Sequence, residues 1–150
     1  MDWGAVGWLI GGVGLGAGFL HFAAMRGRKG ERRVQAVGLI VAGLIYVGFA
    51  AWSADPIWIV IEGVGTAIFA ALALAGVRWS AWPLALGWAL HPVWDAALHL
   101  AGAGAAVAPR GYVLVCVSFD LLVALRVTLT ELSERGAGLR ERTLRLETNR

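Results

Sequence analysis

Charged residues and cysteine are both scarce in this chain of 150 residues. Only 15% of the residues are charged and 59% are hydrophobic, whereas about 25% of an ordinary soluble domain is charged. The single cysteine, Cys116, excludes an internal disulfide bond. This composition excludes an ordinary water-soluble domain and indicates an integral membrane protein.

What the chain does contain is long apolar segments, five of which reach the length of about 20 residues that a transmembrane helix needs. They cover residues 3–25, 34–52, 57–77, 84–101 and 112–130. No basic residue precedes the first segment, and it is longer than the apolar part of a signal peptide, so we predict that it stays as a helix. The fold class that follows is all-α, a polytopic membrane bundle of five transmembrane helices.

Residues 1–130 are predicted to form this bundle, and residues 131–150 a charged tail. Gly136 and Gly138 interrupt the tail, which either forms a short amphipathic helix from Leu139 onward or remains solvated.

Positive charge lies on one side of the predicted bundle. The link RGRKGERR and the tail hold most of the arginines, whereas the opposite side holds only Arg110, with Asp2 and Asp55. Because cytoplasmic segments retain Lys and Arg, we predict an N-terminus outside, a cytoplasmic C-terminus and location in the plasma membrane. The net charge of +3 is explained by this asymmetry and by anionic lipid, without nucleic acid as a partner. Tryptophans at the ends of the segments, Trp58 among them, are interpreted as interfacial residues.

The first segment contains the glycine-rich run GGVGLGAG, residues 11–18. No strand precedes it, so a phosphate-binding loop is disfavoured. Gly12 with Gly16, and Gly14 with Gly18, recur at the four-residue spacing that lets a second helix backbone approach closely. Close helix packing is therefore predicted, and a homo-oligomer formed through this helix is plausible.

Ionisable side chains inside the apolar segments are the main functional signal. An Asp at the centre of a membrane helix costs about 2.5 to 3.5 kcal/mol on insertion scales, so such residues face partners or water. The fourth segment, GWALHPVWDAALHL, places three of them at four-residue spacing along one side of a helix, and Pro92 predicts a local kink there. The five side chains are Glu62, His91, Asp95, His99 and Asp120.

The rise of about 1.5 Å per residue gives the depth of each group in the predicted topology. Glu62, Asp95, His99, Cys116 and Asp120 fall in the same outer half of the membrane, with Tyr46 at a similar level and His91 deeper. We therefore predict a polar pocket that opens toward the outer face.

Three interpretations of this pocket remain open. The first is a metal-dependent enzyme for a lipid-like substrate, because carboxylates and imidazoles together suit Zn, Mn or Fe and a spare carboxylate serves as general base. The second is a proton-coupled carrier of small solutes, and the third is a structural or partner-binding subunit pinned by a buried polar network. The predicted metal ligands are Asp95, His99, Glu62, Asp120 and His91. Of these, Glu62, Asp95 and Asp120 are also the predicted catalytic residues. The other predicted pocket residues are Tyr46, Trp94 and Cys116.

The motif GWxxHxxWDxxxxH, followed by CxxxDxxxAL, resembles a family of small uncharacterised bacterial multi-pass membrane proteins. Here it comprises residues 87–99 and 116–125, and the resemblance extends back through Glu62 and more loosely to Tyr46. It implies a bacterial membrane bundle with a shared polar motif and implies no particular reaction.

Overall fold

The computed structural model describes residues 2–148, which form a bundle of helices without strands. The α-helices are α1 (Trp3–Ala24), α2 (Gly27–Trp52), α3 (Pro56–Arg78), α4 (Ala81–Asp95) and α5 (Arg110–Thr148). A π-helical turn, Ala96–Leu100, continues α4, and a short 3₁₀-helix, Ala103–Ala106, follows it. The all-α class and the positions of the apolar helices are as predicted.

Local sequence signals explain where the first and third α-helices begin. The Asp2 carboxylate accepts hydrogen bonds from the backbone N–H groups of Gly4 and Ala5. The Asp55 carboxylate accepts one from the Ile57 N–H, and Pro56 follows it. Carboxylate caps satisfy N–H groups that have no partner inside a helix, and proline is favoured in the first turn.

The link RGRKGERR is helical rather than an extended loop, because α2 already begins at Gly27. Gly27 makes the sharp turn from α1 into α2 with φ of +66°, a conformation that side chains with a Cβ rarely adopt. Arg28 then forms an ion pair with Glu134, and Arg32 with Glu131. These pairs fasten the first turns of α2 to α5.

Four of the α-helices, α1, α2, α3 and α5, are long and apolar enough to cross a membrane. The fourth predicted span differs from the expectation, since α4 has 15 residues and is lengthened by the π-helical turn. The helix passes through Pro92 in α geometry, and the departure comes after Asp95. Many large apolar side chains of the long helices are exposed, for example Ile10, Leu15, Val60 and Leu121, as expected where lipid surrounds the bundle.

The tail does not break at its glycines. Helix α5 continues through Gly136 and Gly138 to Thr148, so the helix expected to begin at Leu139 is instead the last part of α5. Isolated glycines cost a helix only about 1 kcal/mol each. Just before these glycines, Glu131 and Glu134 pair with arginines of α2, and these ion pairs support α5.

Helix α4 occupies the centre of the bundle, against α2, α3 and α5. Leu84 and Trp88 of α4 pack with Leu39 of α2, Ala73 of α3 and Val123 of α5 in the largest apolar cluster. This packing fixes α4 so that its polar residues point into the bundle.

Candidate functional site

Helix α4 and its π-helical turn supply three buried polar side chains, His91, Asp95 and His99. In a regular α-helix, residues four apart lie on one face. The π-helical turn from Ala96 to Leu100 adds a residue to the turn, closed by the Ala101 N–H to the Ala96 carbonyl. His99 therefore points in a different direction from the stripe that contains His91 and Asp95, and π-helical turns of this kind are frequent at functional sites.

His91 and Asp95 meet Asp120 of α5. The Nδ1 atom of His91 lies 2.8 Å from Oδ2 of Asp120 and 3.4 Å from Oδ2 of Asp95. Since a carboxylate accepts, the short contact is an Nδ1–H donated to Asp120. One atom from each of the three residues lies within 4.8 Å of the other two, so we call His91, Asp95 and Asp120 the triad.

Asp95 has no hydrogen bond to compensate its burial. Its side chain is 0% exposed, and neither of its carboxylate oxygens has a hydrogen-bond partner within residues 2–148. The single imidazole of His91 is shared between two carboxylates, so the triad has one carboxylate more than its own cation can balance. A buried carboxylate in excess of the available cations is costly unless a further cation or a proton meets it.

A second polar group lies beside the triad and consists of Glu62 of α3, Trp94 of α4 and His99. The Trp94 Nε1–H donates to Oε2 of Glu62 at 3.2 Å, and His99 Nε2 lies 3.2 Å from Oε1 of Glu62. On its other side, His99 Nδ1 lies 2.9 Å from the Gly104 carbonyl oxygen. That oxygen only accepts, so Nδ1 carries a hydrogen, whereas His99 Nε2 and Glu62 Oε1 make no hydrogen bond within residues 2–148.

Tyr46 of α2 joins the two groups. Its ring stacks on His99 with centroids 4.9 Å apart and meets His91 edge-on at 5.7 Å. Its hydroxyl oxygen is buried without a hydrogen bond in the described part of the chain, and Tyr46 lies beside Asp95 and Cys116. Cys116 is a buried free thiol. The two groups and Tyr46 thus form one buried polar cluster.

The structure brings all the residues singled out in the sequence into this cluster but groups them differently. His91 was predicted to lie deeper than the other residues, whereas it contacts Asp120 directly. Conversely, Asp95 and His99 were expected to bind as neighbours on one helix face, and His99 instead faces Glu62. Depths taken from the helical rise ignore helix tilt. The prediction that His91, Asp95 and His99 share one side of the helix requires regular α geometry through residue 99.

Several residues that contact the site were not predicted. Trp58 was interpreted as interfacial, yet its ring lies 5.8 Å from that of His99. Phe69 packs edge-on against His91 at 4.9 Å. A Cβ at Gly104 would lie 2.9 Å from His99 Nδ1 and 2.7 Å from the Trp58 ring, so the glycine permits the close approach. Trp58 and Phe69 lie four and seven residues from Glu62, a helical spacing that could have linked them to it.

Residues 6–132 match the family described as a family of unknown function, DUF6010. No curated protein and no solved structure matches the chain. The matched segment contains the whole buried polar cluster and all five α-helices in whole or in part, and the chain belongs to this family of unknown function, DUF6010.

Proposed function

We propose that this protein is a membrane enzyme that holds a divalent metal ion at His91, Asp95 and Asp120 and acts on a lipid-like substrate. The observation that carries the proposal is Asp95, which is fully buried and whose two carboxylate oxygens lack hydrogen bonds within residues 2–148. A divalent cation supplies the positive charge that this carboxylate lacks, and it satisfies both Asp95 and Asp120.

The spacing of the donor atoms supports this proposal. Two ligands bound about 2.1 Å from one metal ion, at angles near 90° to 110°, lie roughly 3.0 to 3.4 Å apart. His91 Nδ1 lies 3.4 Å from the Asp95 oxygen, within this range, and 2.8 Å from the Asp120 oxygen, slightly below it. A metal ion would replace the Nδ1 proton, and one imidazole with two carboxylates suits Zn, Mn or Fe.

Three protein ligands leave coordination positions for water or substrate. A metal ion in such a site makes bound water nucleophilic at neutral pH and polarises a substrate oxygen. Glu62 and His99 are then the acid–base pair that would accept or deliver protons beside the metal. The lipid-like substrate is inferred from the apolar surroundings of the cluster.

Metal content tests the proposal. We expect the detergent-purified protein, after incubation with Zn, Mn or Fe, to hold about one metal ion per chain by elemental analysis. His91→Ala should abolish this binding. His99→Ala should retain it, because His99 faces Glu62 outside the triad.

The matched control is His21→Ala, since His21 is an exposed histidine on α1. Metal that persists in His91→Ala, or that is lost with His21→Ala, would show binding elsewhere on the chain. Absence of metal from the wild type under all three conditions would overturn the proposal.

A proton-coupled carrier is the second candidate, and the continuity of the cluster favours it. Asp120 contacts His91, and His91 contacts Asp95. Tyr46 lies beside Asp95 and stacks on His99, which faces Glu62. Chains of this kind carry protons in pumps and transporters. Solute flux into liposomes that requires a pH gradient and is lost in Glu62→Gln, with no metal bound, would favour the carrier.

A further inference from the structure

A cavity of about 400 Å³ lies at the other end of the bundle, away from the polar cluster. It is lined by the first turns of α2, by the end of α3, by the start of α4 and by residues 127–134 of α5. Its volume falls in the range of small-molecule sites. The lining includes four basic side chains, those of Arg28, Lys29, Arg32 and Arg33.

The cavity retains positive charge after its internal ion pairs are counted. Arg28 pairs with Glu134, and Arg32 with Glu131. The third lining glutamate, Glu31, pairs with Arg126, which lies outside the lining. Lys29 and Arg33 form no ion pair within the described residues, so two cations are available to an anionic ligand.

The start of α2 adds to this positive potential. Its first turn contains no acidic residue, and Arg26 before it makes no side-chain capping bond. A helix N-terminus carries partial positive charge, so basic residues placed there are unfavourable unless an anion compensates them. The start of α4, at Ala81, also borders the cavity and lacks a side-chain cap from Ser80.

Gln35 supplies a neutral polar group at the inner wall of the cavity. The residue is only 4% exposed and lines the cavity. Within residues 2–148 no hydrogen bond engages its side chain. The amide N–H of this lining side chain is therefore available to donate to a ligand in the cavity.

We propose that this cavity binds a phosphate group, with Lys29 and Arg33 as the charged contacts and Gln35 as a hydrogen-bond donor. The phosphate belongs either to an anionic lipid headgroup or to inorganic phosphate. Basic pockets between membrane helices bind lipid headgroups by this chemistry. The site is separate from the proposed metal site and does not depend on it.

Thermal unfolding of the detergent-purified full chain tests the proposal, because a ligand that binds the folded state raises the unfolding temperature. Titrations with phosphatidylglycerol, phosphatidylcholine and inorganic phosphate give apparent dissociation constants. We expect phosphatidylglycerol or inorganic phosphate to stabilise the protein, and phosphatidylcholine to have little effect. Stabilisation by the anionic lipid alone identifies a headgroup, and stabilisation by inorganic phosphate identifies the free ion.

The double variant Lys29→Gln, Arg33→Gln should weaken this binding at least about tenfold. Gln35→Leu, which keeps every charge, should weaken it severalfold. The matched control is Arg140→Gln, Arg142→Gln, which removes the same charge from the exposed end of α5 and should change the constant less than about twofold. Equal weakening in the control overturns the proposal. So does the absence of stabilisation by both phosphatidylglycerol and inorganic phosphate.

Discussion

Asp95 is a fully buried charge that its surroundings compensate only in part. It contributes a second carboxylate to a single imidazole, and its oxygens make no hydrogen bond within residues 2–148. Its occurrence in an apolar helix was enough to predict from sequence that it has a partner. Its ion-pair partner His91 lies four residues earlier on the same helix, as the spacing indicated. Its nearness to Asp120 depends on the approach of α5, which no spacing within α4 encodes.

Asp95→Asn should raise the stability of the metal-free protein while abolishing metal binding. The change removes an excess buried charge and gives up only the 3.4 Å contact between His91 Nδ1 and Asp95 Oδ2, so we expect a gain of about 1–3 kcal/mol. Thermal unfolding after chelation measures it. The control Glu141→Gln alters only an exposed pair with Arg145 and should shift stability by less than about 0.5 kcal/mol.

If the polar cluster serves only to hold the helices together, the opposite result is expected. If Asp95 mainly holds α4 and α5 together, the metal-free Asp95→Asn protein unfolds at a markedly lower temperature than wild type.

At the scale of the helices, the π-helical turn is the feature that periodicity could not predict. Residues 84–101 have the composition of one continuous helix, and Pro92 was the expected irregularity. The change of geometry comes later, where His99 reaches both Glu62 and the Gly104 carbonyl. Tertiary contacts thus decide the local geometry, whereas the apolar composition sufficed to place the long helices.

The two glycine stripes of α1 also have different surroundings. A Cβ at Gly12 would overlap Ser118 Oγ and the Val115 carbonyl of α5, whereas nothing lies within 4 Å of a Cβ at Gly14. Gly12→Val should therefore destabilise the protein by about 1–3 kcal/mol through overpacking. Gly14→Val, on the open side of the same helix, should leave the unfolding temperature of the monomer nearly unchanged.

Equal effects of the two substitutions would contradict this packing of α1 on α5. Crosslinking tests the predicted oligomer separately. A loss of self-association in Gly14→Val but not in Gly12→Val would support a contact through Gly14 and Gly18.

For the whole molecule, the distribution of arginines predicts the orientation in the membrane. With the N-terminus outside, the α2–α3 link faces out and the end of α5 faces in. A membrane-impermeant maleimide should then label Ser53→Cys in spheroplasts and label Glu141→Cys only after permeabilisation; both positions are exposed. Wild type supplies the background, because Cys116 is buried. The reverse labelling pattern would refute the orientation.

The central position of α4 has a consequence for biosynthesis. As α4 leaves the ribosome, Asp120 has not yet emerged, and His91 and Asp95 have only each other as polar partners. Helix α4 is also the shortest of the five, so its own hydrophobicity gives it little tendency to partition into lipid. We expect it to remain at the translocon, or against α3, until α5 arrives, so that the last two helices enter the bilayer as a pair.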